Sequence, residues 1–322
     1  MEDIMEMKEV KGVVGVDKRD KRGRLWTRIV KNKEFYLLLI PGIVLTIVFK
    51  YVPMYGLQIA FRNYNAAAGF FGSEWVGLKW FTKFFANYNS LRLIRNTVLL
   101  SLYQLLWSFP IPIILALFLN QVKNKKFQKV VQTAVYAPHF ISIMVLAGIL
   151  KIFLSPYGGL FSVVSQIFGG EPTNFLENAG YFRSIYVASG IWQDAGWGTV
   201  IYLATLAGVD IQLYDAAKVD GASTWKRIFH IDIPELVPII VIQLIMSFGN
   251  LMNVGFEKAF LLQNSLNAAA SDIIATYVYR QGILQAQYSY STAVGLFNTA
   301  VNLCLLILVS KVCKKASDVS FL

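Results

Sequence analysis

The sequence predicts an all-α integral membrane protein with six transmembrane helices. Three observations carry that prediction. Of the 322 residues, 56% are hydrophobic and only 15% charged, with a mean hydropathy of +0.51; a soluble protein carries roughly 25% charged residues. Six apolar runs, each approaching the length that crosses a bilayer, alternate with polar segments. Finally, 20 of the 30 Lys and Arg fall on the segments that alternation places on one side, which is the bias expected of cytoplasmic loops.

Residues 1–34 open the chain as a basic tail (Lys18, Arg19, Lys21, Arg22, Arg24, Arg28, Lys31, Lys33) without a sustained apolar period. Its expected place is the cytoplasmic surface, against anionic membrane lipid. The net charge of +11 does not indicate a nucleic-acid partner, because no soluble domain interleaves basic residues with stacking aromatics. The first span is expected at about Phe35 to Val52, loosened by Pro41-Gly42, with Lys50 near one end. From Pro53 to Arg95 the chain is polar and aromatic, and Trp75, Trp80, Phe81, Phe84 and Phe85 suit an interfacial helix on the outer surface. Spans two and three are expected at about Thr97–Leu119 and Val130–Leu150, joined by the basic turn at Lys123, Lys125, Lys126 and Lys129. An outer loop with Ser155 to Gly159 leads to span four, about Ser184–Val209. Span five follows at about Leu236–Phe256, then an outer loop from Glu257 to Ser291, then span six at about Thr292–Ser310. Residues 35–310 thus form one membrane domain, and 311–322 a second tail. With the amino terminus inside, both tails, the lysine turn and the segment 210–238 are cytoplasmic, giving a multi-pass protein of the cytoplasmic (inner) membrane.

That segment is the most patterned polar stretch in the chain. Asp215, Ala216, Ala217 and Lys218 read as a short helix, Gly221 permits a sharp turn, and Ser223 or Thr224 can cap a second helix bearing Trp225, Ile228 and Phe229. Ile231, Ile233, Pro234 and Pro238 lead into the next apolar run. The stretch closely resembles the EAA loop of ABC-importer permeases, whose pattern is E-A-A-x-x-D-G-A followed at fixed spacing by I-x-L-P. Ala216, Ala217, Asp220, Gly221, Ala222, Phe229, Ile231 and Pro234 fall on that pattern; Asp215 stands for Glu and Ile233 for Leu.

The resemblance implies a type I importer permease whose arm is a coupling helix docking on an ATPase subunit, with Asp215 as the charged contact, Gly221 setting the angle and Trp225 and Phe229 as apolar filling. It further implies an ABC ATPase dimer, a second homologous permease and an extracytoplasmic solute-binding protein, with transport by alternating access. No G-x-x-x-x-G-K-[ST] phosphate loop and no nucleophile–base–acid constellation occurs in the sequence. The chain is therefore expected to be no enzyme and to hold no cofactor, ATP and Mg belonging to the partner ATPase. The words YVPMYGLQIAFRNYN (Tyr51 to Asn65) and WVGLKWF (Trp75 to Phe81) resemble the subgroup of permeases for complex oligosaccharides such as alginate- or pectin-derived fragments.

Polar residues within the spans are the candidates for a substrate path. Asp194 is the sharpest, since a carboxylate at helix centre costs about 2.5–3.5 kcal/mol on insertion scales. With Trp192, Gln193 and Trp197 it makes a polar and aromatic face suited to sugars, although hydration at the outer interface or a structural pairing explains it equally well. Gln243, Ser247 and Asn250 share one face of span five, Asn253 and Glu257 follow at helical spacing, and Asn298 and Asn302 share a face of span six. Interhelical hydrogen bonding accounts for any one of these; together, a few are expected to line a cavity. His139 and Ser142 are weaker candidates, and Cys304 and Cys313 show neither disulfide nor metal-ligand spacing. Two other readings keep a transporter but change its chemistry: an ion-coupled secondary carrier using Asp194 or Glu257, or an ABC permease for a non-sugar solute.

Overall fold

The computed structural model describes residues 32–316, with side chains to residue 314. Most of the basic tail expected at 1–34, and the last six residues, lie outside that range. Among the described residues four helices are long and apolar enough to cross a membrane, and six spans result when each of two sharply bent helix pairs is one span. The predicted all-α architecture is therefore present, and the deviations lie in where the helices break.

The described residues fall into two compact units, divided between Gln58 and Ile59. In the first, α1 (Lys33–Thr46) passes through Pro41 without a break, and Thr46 Oγ1 donates to the Gly42 carbonyl at 2.8 Å. A π-helical turn at Ile47–Tyr51 and short helical turns carry the span to Phe61, nine residues beyond the expected Val52.

The second unit begins with a two-stranded antiparallel ladder, β1 (Arg62–Asn63) against β2 (Glu74–Trp75), followed by α2 (Lys79–Ala86). The segment expected to carry an interfacial helix does hold one in α2, and side-chain contacts tie it down. Trp80 Nε1 donates to the Arg62 carbonyl at 2.8 Å, Trp75 stacks on Phe61, and Phe84 is buried against Phe297. Next come α3 (Ser90–Ser108) and α4 (Pro110–Gln121), which together make span two, with Pro110 where a missing N–H is harmless.

Span three is not the continuous helix predicted. α5 (Lys125–Tyr136) ends in a tight turn at Ala137–Phe140, and α6 (Ile143–Phe153) leaves at 96°. Pro138 removes a helical donor, and the Ser142 hydroxyl caps the new helix by accepting from Val145 N–H at 3.3 Å. A short helix, α7 (Leu160–Ile167), follows. The long α8 (Ala179–Ala207) packs so closely on α5 that a Cβ at Gly196 would lie 1.9 Å from the Val135 carbonyl oxygen. Close approach through small residues is how helices gain contact in lipid, where apolar burial alone gives no advantage.

After α8 the chain bends by 74° into α9 (Ile211–Val219), then α10 (Thr224–Arg227), a π-helical turn at Ile228–Asp232, and α11 (Ile233–Gly249). Span five thus starts at Thr224 rather than Leu236, and it stops at Gly249 rather than Phe256. The loop expected from Glu257 to Ser291 is folded as α12 (Phe256–Leu262), α13 (Ala268–Ser271) and α14 (Ile274–Tyr279). Its interior combines apolar packing of Ala259, Leu262, Ile273 and Ile274 with a paired polar network. Asp272 accepts both Nη2 bonds of Arg280 at 2.7 and 2.8 Å, the Asn96 amide donates to the carbonyls of Ala269 and Asp272, and Ile274 N–H reaches Thr97 Oγ1 at 2.9 Å. Finally α15 (Tyr288–Ala316) makes span six, and Lys311 to Lys315, expected as a tail, continue the helix.

Candidate functional site

Two places in the second unit gather the candidate site residues: the arm between α8 and α11, and a cavity between α3, α4, α8 and α11.

The arm is built by local sequence. Asp210 caps α9 by accepting from Gln212 N–H at 2.9 Å. At the other end Gly221 takes φ +70°, while Gly221 N–H reaches the Lys218 carbonyl at 3.1 Å and Ala222 N–H the Ala217 carbonyl at 2.8 Å. This paired closure is the Schellman motif, and it needs the left-handed residue that glycine supplies without a Cβ penalty. Asp220 sits at the end of α9, its N–H on the Ala216 carbonyl. Ser223 then accepts from Lys226 N–H, making it the cap that the sequence left open between Ser223 and Thr224.

The second helix is not a separate arm element, however. It runs through the π-helical turn into span five, the wider turn accommodating Pro234, which has no N–H to give. Asp215 is exposed and pairs with Lys218 Nζ at 2.8 Å. Ala216 and Ala217 lie on α9 beside it, Ala217 half-buried. Trp225 and Phe229 stack at 6.4 Å and Trp225 sets its edge on Phe118, yet each stays 59% exposed, so they fill no gap within this chain. Ile211, Leu213 and Val219 are likewise exposed, Val219 at 88%. Together these side chains make an exposed apolar edge on a polar arm.

One residue missed by the sequence reading anchors the arm. The Asp232 carboxylate is completely buried, accepting from the Tyr214 hydroxyl on α9, from Gln121 Nε2 at 2.7 Å and from Asn120 Nδ2 at 3.4 Å. It therefore joins the arm helix to the end of span two and the start of span five. A carboxylate inside the otherwise apolar Ile231–Ile233 was the available signal.

The cavity holds about 400 Å³; Ser101, Gln104 and Ser108 from α3, Tyr202 from α8, and Gln243, Ser247, Asn250 and Asn253 around the end of α11 supply its polar groups, and Leu105, Phe109, Leu251 and Val254 its apolar wall. Ser101 and Ser247 turn their hydroxyls back onto carbonyls of their own helices, at 2.6 and 2.8 Å. Among the described residues the amides of Gln104 and Gln243 make no protein hydrogen bond, leaving planar donor–acceptor groups for a guest. Ser101, Gln104 and Ser108 recur at i, i+3 and i+7, a helical-face pattern legible in span two.

The predicted path residues separate into groups. Gln243, Asn250 and Asn253 meet at the cavity. Asn298 stands behind them, donating to Asn253 Oδ1 at 3.1 Å, and Asn302 Oδ1 accepts the buried Met252 N–H at 2.8 Å. Span-six asparagines thus hold the non-helical break that ends span five. Trp192, Gln193, Asp194 and Trp197 do not reach this cavity. Trp192 lines a separate, apolar cavity of about 550 Å³ between α6, α7 and α8. Gln193 is buried and donates to the Ile141 carbonyl at 2.8 Å, supporting the break between α5 and α6. Asp194, 62% exposed, lies 2.9 Å from His139 Nδ1, and His139 stacks flat on Trp197 at 4.7 Å. Glu257 is exposed on α12. Beside it Lys258 is buried, donating to the Tyr186 carbonyl at 2.8 Å and facing that ring at 4.7 Å, and burial lowers its ammonium pKa to about 8.

Comparison with known proteins places this architecture. Residues 83–316 match the family of binding-protein-dependent transport system inner membrane components. The polygalacturonan/rhamnogalacturonan transport system permease protein YteP of Bacillus subtilis strain 168 is 44% identical over 301 residues, 94% of this chain and 94% of its own. Protein LplB of the same organism is 43% identical over 91% of this chain and 93% of its own. Among solved structures, a chain of the bacterial alginate ABC transporter in complex with alginate pentasaccharide-bound periplasmic protein superposes with a TM-score of 0.84, at 37% identity over 92% of this chain and 99% of that one. The protein belongs to the inner membrane component family of binding-protein-dependent transport systems: it is an ABC transporter permease, a transport subunit and not an enzyme.

Proposed function

We propose that this chain is the permease subunit of an ATP-driven importer of acidic oligosaccharides, taking uronate-containing fragments from an extracytoplasmic binding protein into the cytoplasm. The single observation that carries the mechanism is Asp232. Its hydrogen bonds make α9 one mechanical piece with spans two and five, which line the polar cavity. In this reading α9, with its exposed Asp215 and apolar edge, seats on an ATPase subunit that supplies ATP and Mg. ATPase closure moves α9, and the spans follow as rigid bodies between outward- and inward-open states. The amides of Gln104 and Gln243, with Asn250 and Asn253, hold sugar hydroxyls in transit, and a second permease completes the path. The acidic cargo is supported by the relatives above, whose names give polygalacturonan, rhamnogalacturonan and alginate. Both termini and the arm are cytoplasmic in this topology.

The test is uptake of a labelled oligogalacturonate series by cells or vesicles holding the complete importer. Transport that stops when the ATPase subunit is inactivated and survives a proton uncoupler supports the reading. Uptake that collapses with the uncoupler alone restores the ion-coupled carrier. Gln243→Leu is expected to lower uptake at least several-fold with binding-protein affinity unchanged; normal uptake in that variant removes the cavity from the path.

A further inference from the structure

A second pocket, at the start of α3, has no part in the mechanism above. It encloses about 370 Å³ and is lined by Tyr88, Leu91, Arg92, Arg95 and Asn96 with Arg183 from α8 and Ala269 from α13. Three guanidiniums therefore face one space. The nearby carboxylate, Asp272, is already committed: it takes both bonds from Arg280 and one from Thr276, and Arg92 lies 3.7 Å away at its edge. Arg183 gives one bond to Asn96 Oδ1 at 3.1 Å, while its Nε is buried without a partner. Arg95 is exposed and, among the described residues, makes no hydrogen bond or ion pair. Positive charge is in excess here, and an unpaired buried N–H asks for an acceptor.

The faces of α3 decide which acceptor. Gln104, on the polar cavity, is nine positions from Arg95, about half a turn away around the helix. The pocket consequently opens away from the cavity, which argues against a station for the permeant. Leu99, Leu102 and Leu106 lie four, seven and eleven positions after Arg95, on its own side, and all three are exposed. Arg95 also stands just before the charge-free run from Thr97, at headgroup depth. A cationic pocket capping an exposed leucine stripe matches an amphiphile with an anionic head and an apolar tail.

We infer that Arg92, Arg95 and Arg183 form a binding site for an anionic phospholipid, the phosphate held by the guanidiniums and an acyl chain lying along Leu99, Leu102 and Leu106. Guanidiniums bind phosphate oxygens in bidentate, charge-assisted geometry, which suits the fork of Arg better than the point charge of Lys. The site itself is independent of the proposed function; only the leaflet, the outer one, rests on the proposed topology.

The test uses the importer purified with its partner subunits, titrated with phosphatidylglycerol and with phosphatidylcholine of the same acyl chains, and read by native mass spectrometry. The expected result is preferential retention of phosphatidylglycerol, weakened roughly tenfold in Arg95→Gln. Arg95 makes no protein bond, so this variant keeps its fold, and an unchanged unfolding temperature confirms that. Lys151→Gln, outside the pocket, is expected to retain lipid as the wild type does. Equal retention of the two lipids, or equal loss in both variants, overturns the site. Displacement of phosphatidylglycerol by an oligogalacturonate would make the pocket a carboxylate subsite for the permeant. Lipid bound only after the partner permease is removed would make it a protein interface. Labelling of Tyr88→Cys by an impermeant maleimide in intact cells tests the leaflet separately.

Discussion

Tyr214→Phe is the sharpest test of how the arm transmits force. The substitution keeps the ring on α9 and removes one hydroxyl, whose bond to the buried Asp232 carboxylate joins the arm to spans two and five. A hydrogen bond to a charged group contributes about 1.5–3 kcal/mol, so the equilibrium between seated and loosened α9 shifts roughly ten- to a hundredfold. Asp232 keeps Gln121 and Asn120, so the charge is not orphaned and the spans stay folded. The assay is the assembled importer in liposomes, with oligosaccharide accumulated and ATP hydrolysed measured together. ATP hydrolysis is expected to continue while sugar moved per ATP falls; Asp232→Asn, which weakens every bond at that site, is expected to behave alike. An unchanged transport-to-hydrolysis ratio in Tyr214→Phe refutes the linkage.

Three further outcomes follow from the same geometry. Gly221→Ala meets open space but must hold φ +70°, a strain of about 1–2 kcal/mol, so it should reduce co-purification of the ATPase while membrane insertion stays normal. Asn302→Leu leaves the buried Met252 N–H without its acceptor, which is expected to lower stability by about 1–3 kcal/mol in a thermal-unfolding assay. Lys258, with its pKa lowered to about 8 by burial, releases its proton in the folded state before the unfolded chain does. Between pH 8 and the ordinary lysine value of about 10.4 the unfolded state binds more protons. Stability of the wild type relative to Lys258→Met should therefore rise across that window, and a flat difference argues against a buried ammonium.

The arm was legible because its contacts are local. Capping by Ser223, the left-handed turn at Gly221 and the good helix formers of α9 each involve residues a few positions apart, so spacing alone specifies them. Hydropathy likewise located the four continuous apolar helices and the regions of the two bent pairs, because every stretch in lipid must satisfy its own backbone, but not where the helices break. Part of the cavity lining was legible: Gln243, Asn250 and Asn253 recur at helical spacing and meet at the cavity.

What the sequence by itself determined is the class of molecule, an all-α membrane permease with a turn-bounded arm. The tertiary structure decided which polar residues are available. Asp194 and Gln193 are neighbours on one polar stretch in sequence, and the fold pairs them with His139 and the Ile141 carbonyl across more than fifty positions. Asp232 carries no spacing that marks it in the sequence, and it becomes the joint of the arm only because Asn120, Gln121 and Tyr214 converge on it. Periodicity fixes which face of a helix a side chain occupies; what stands opposite that face is set by packing between distant segments, and that alone separates a satisfied polar group from one free to bind.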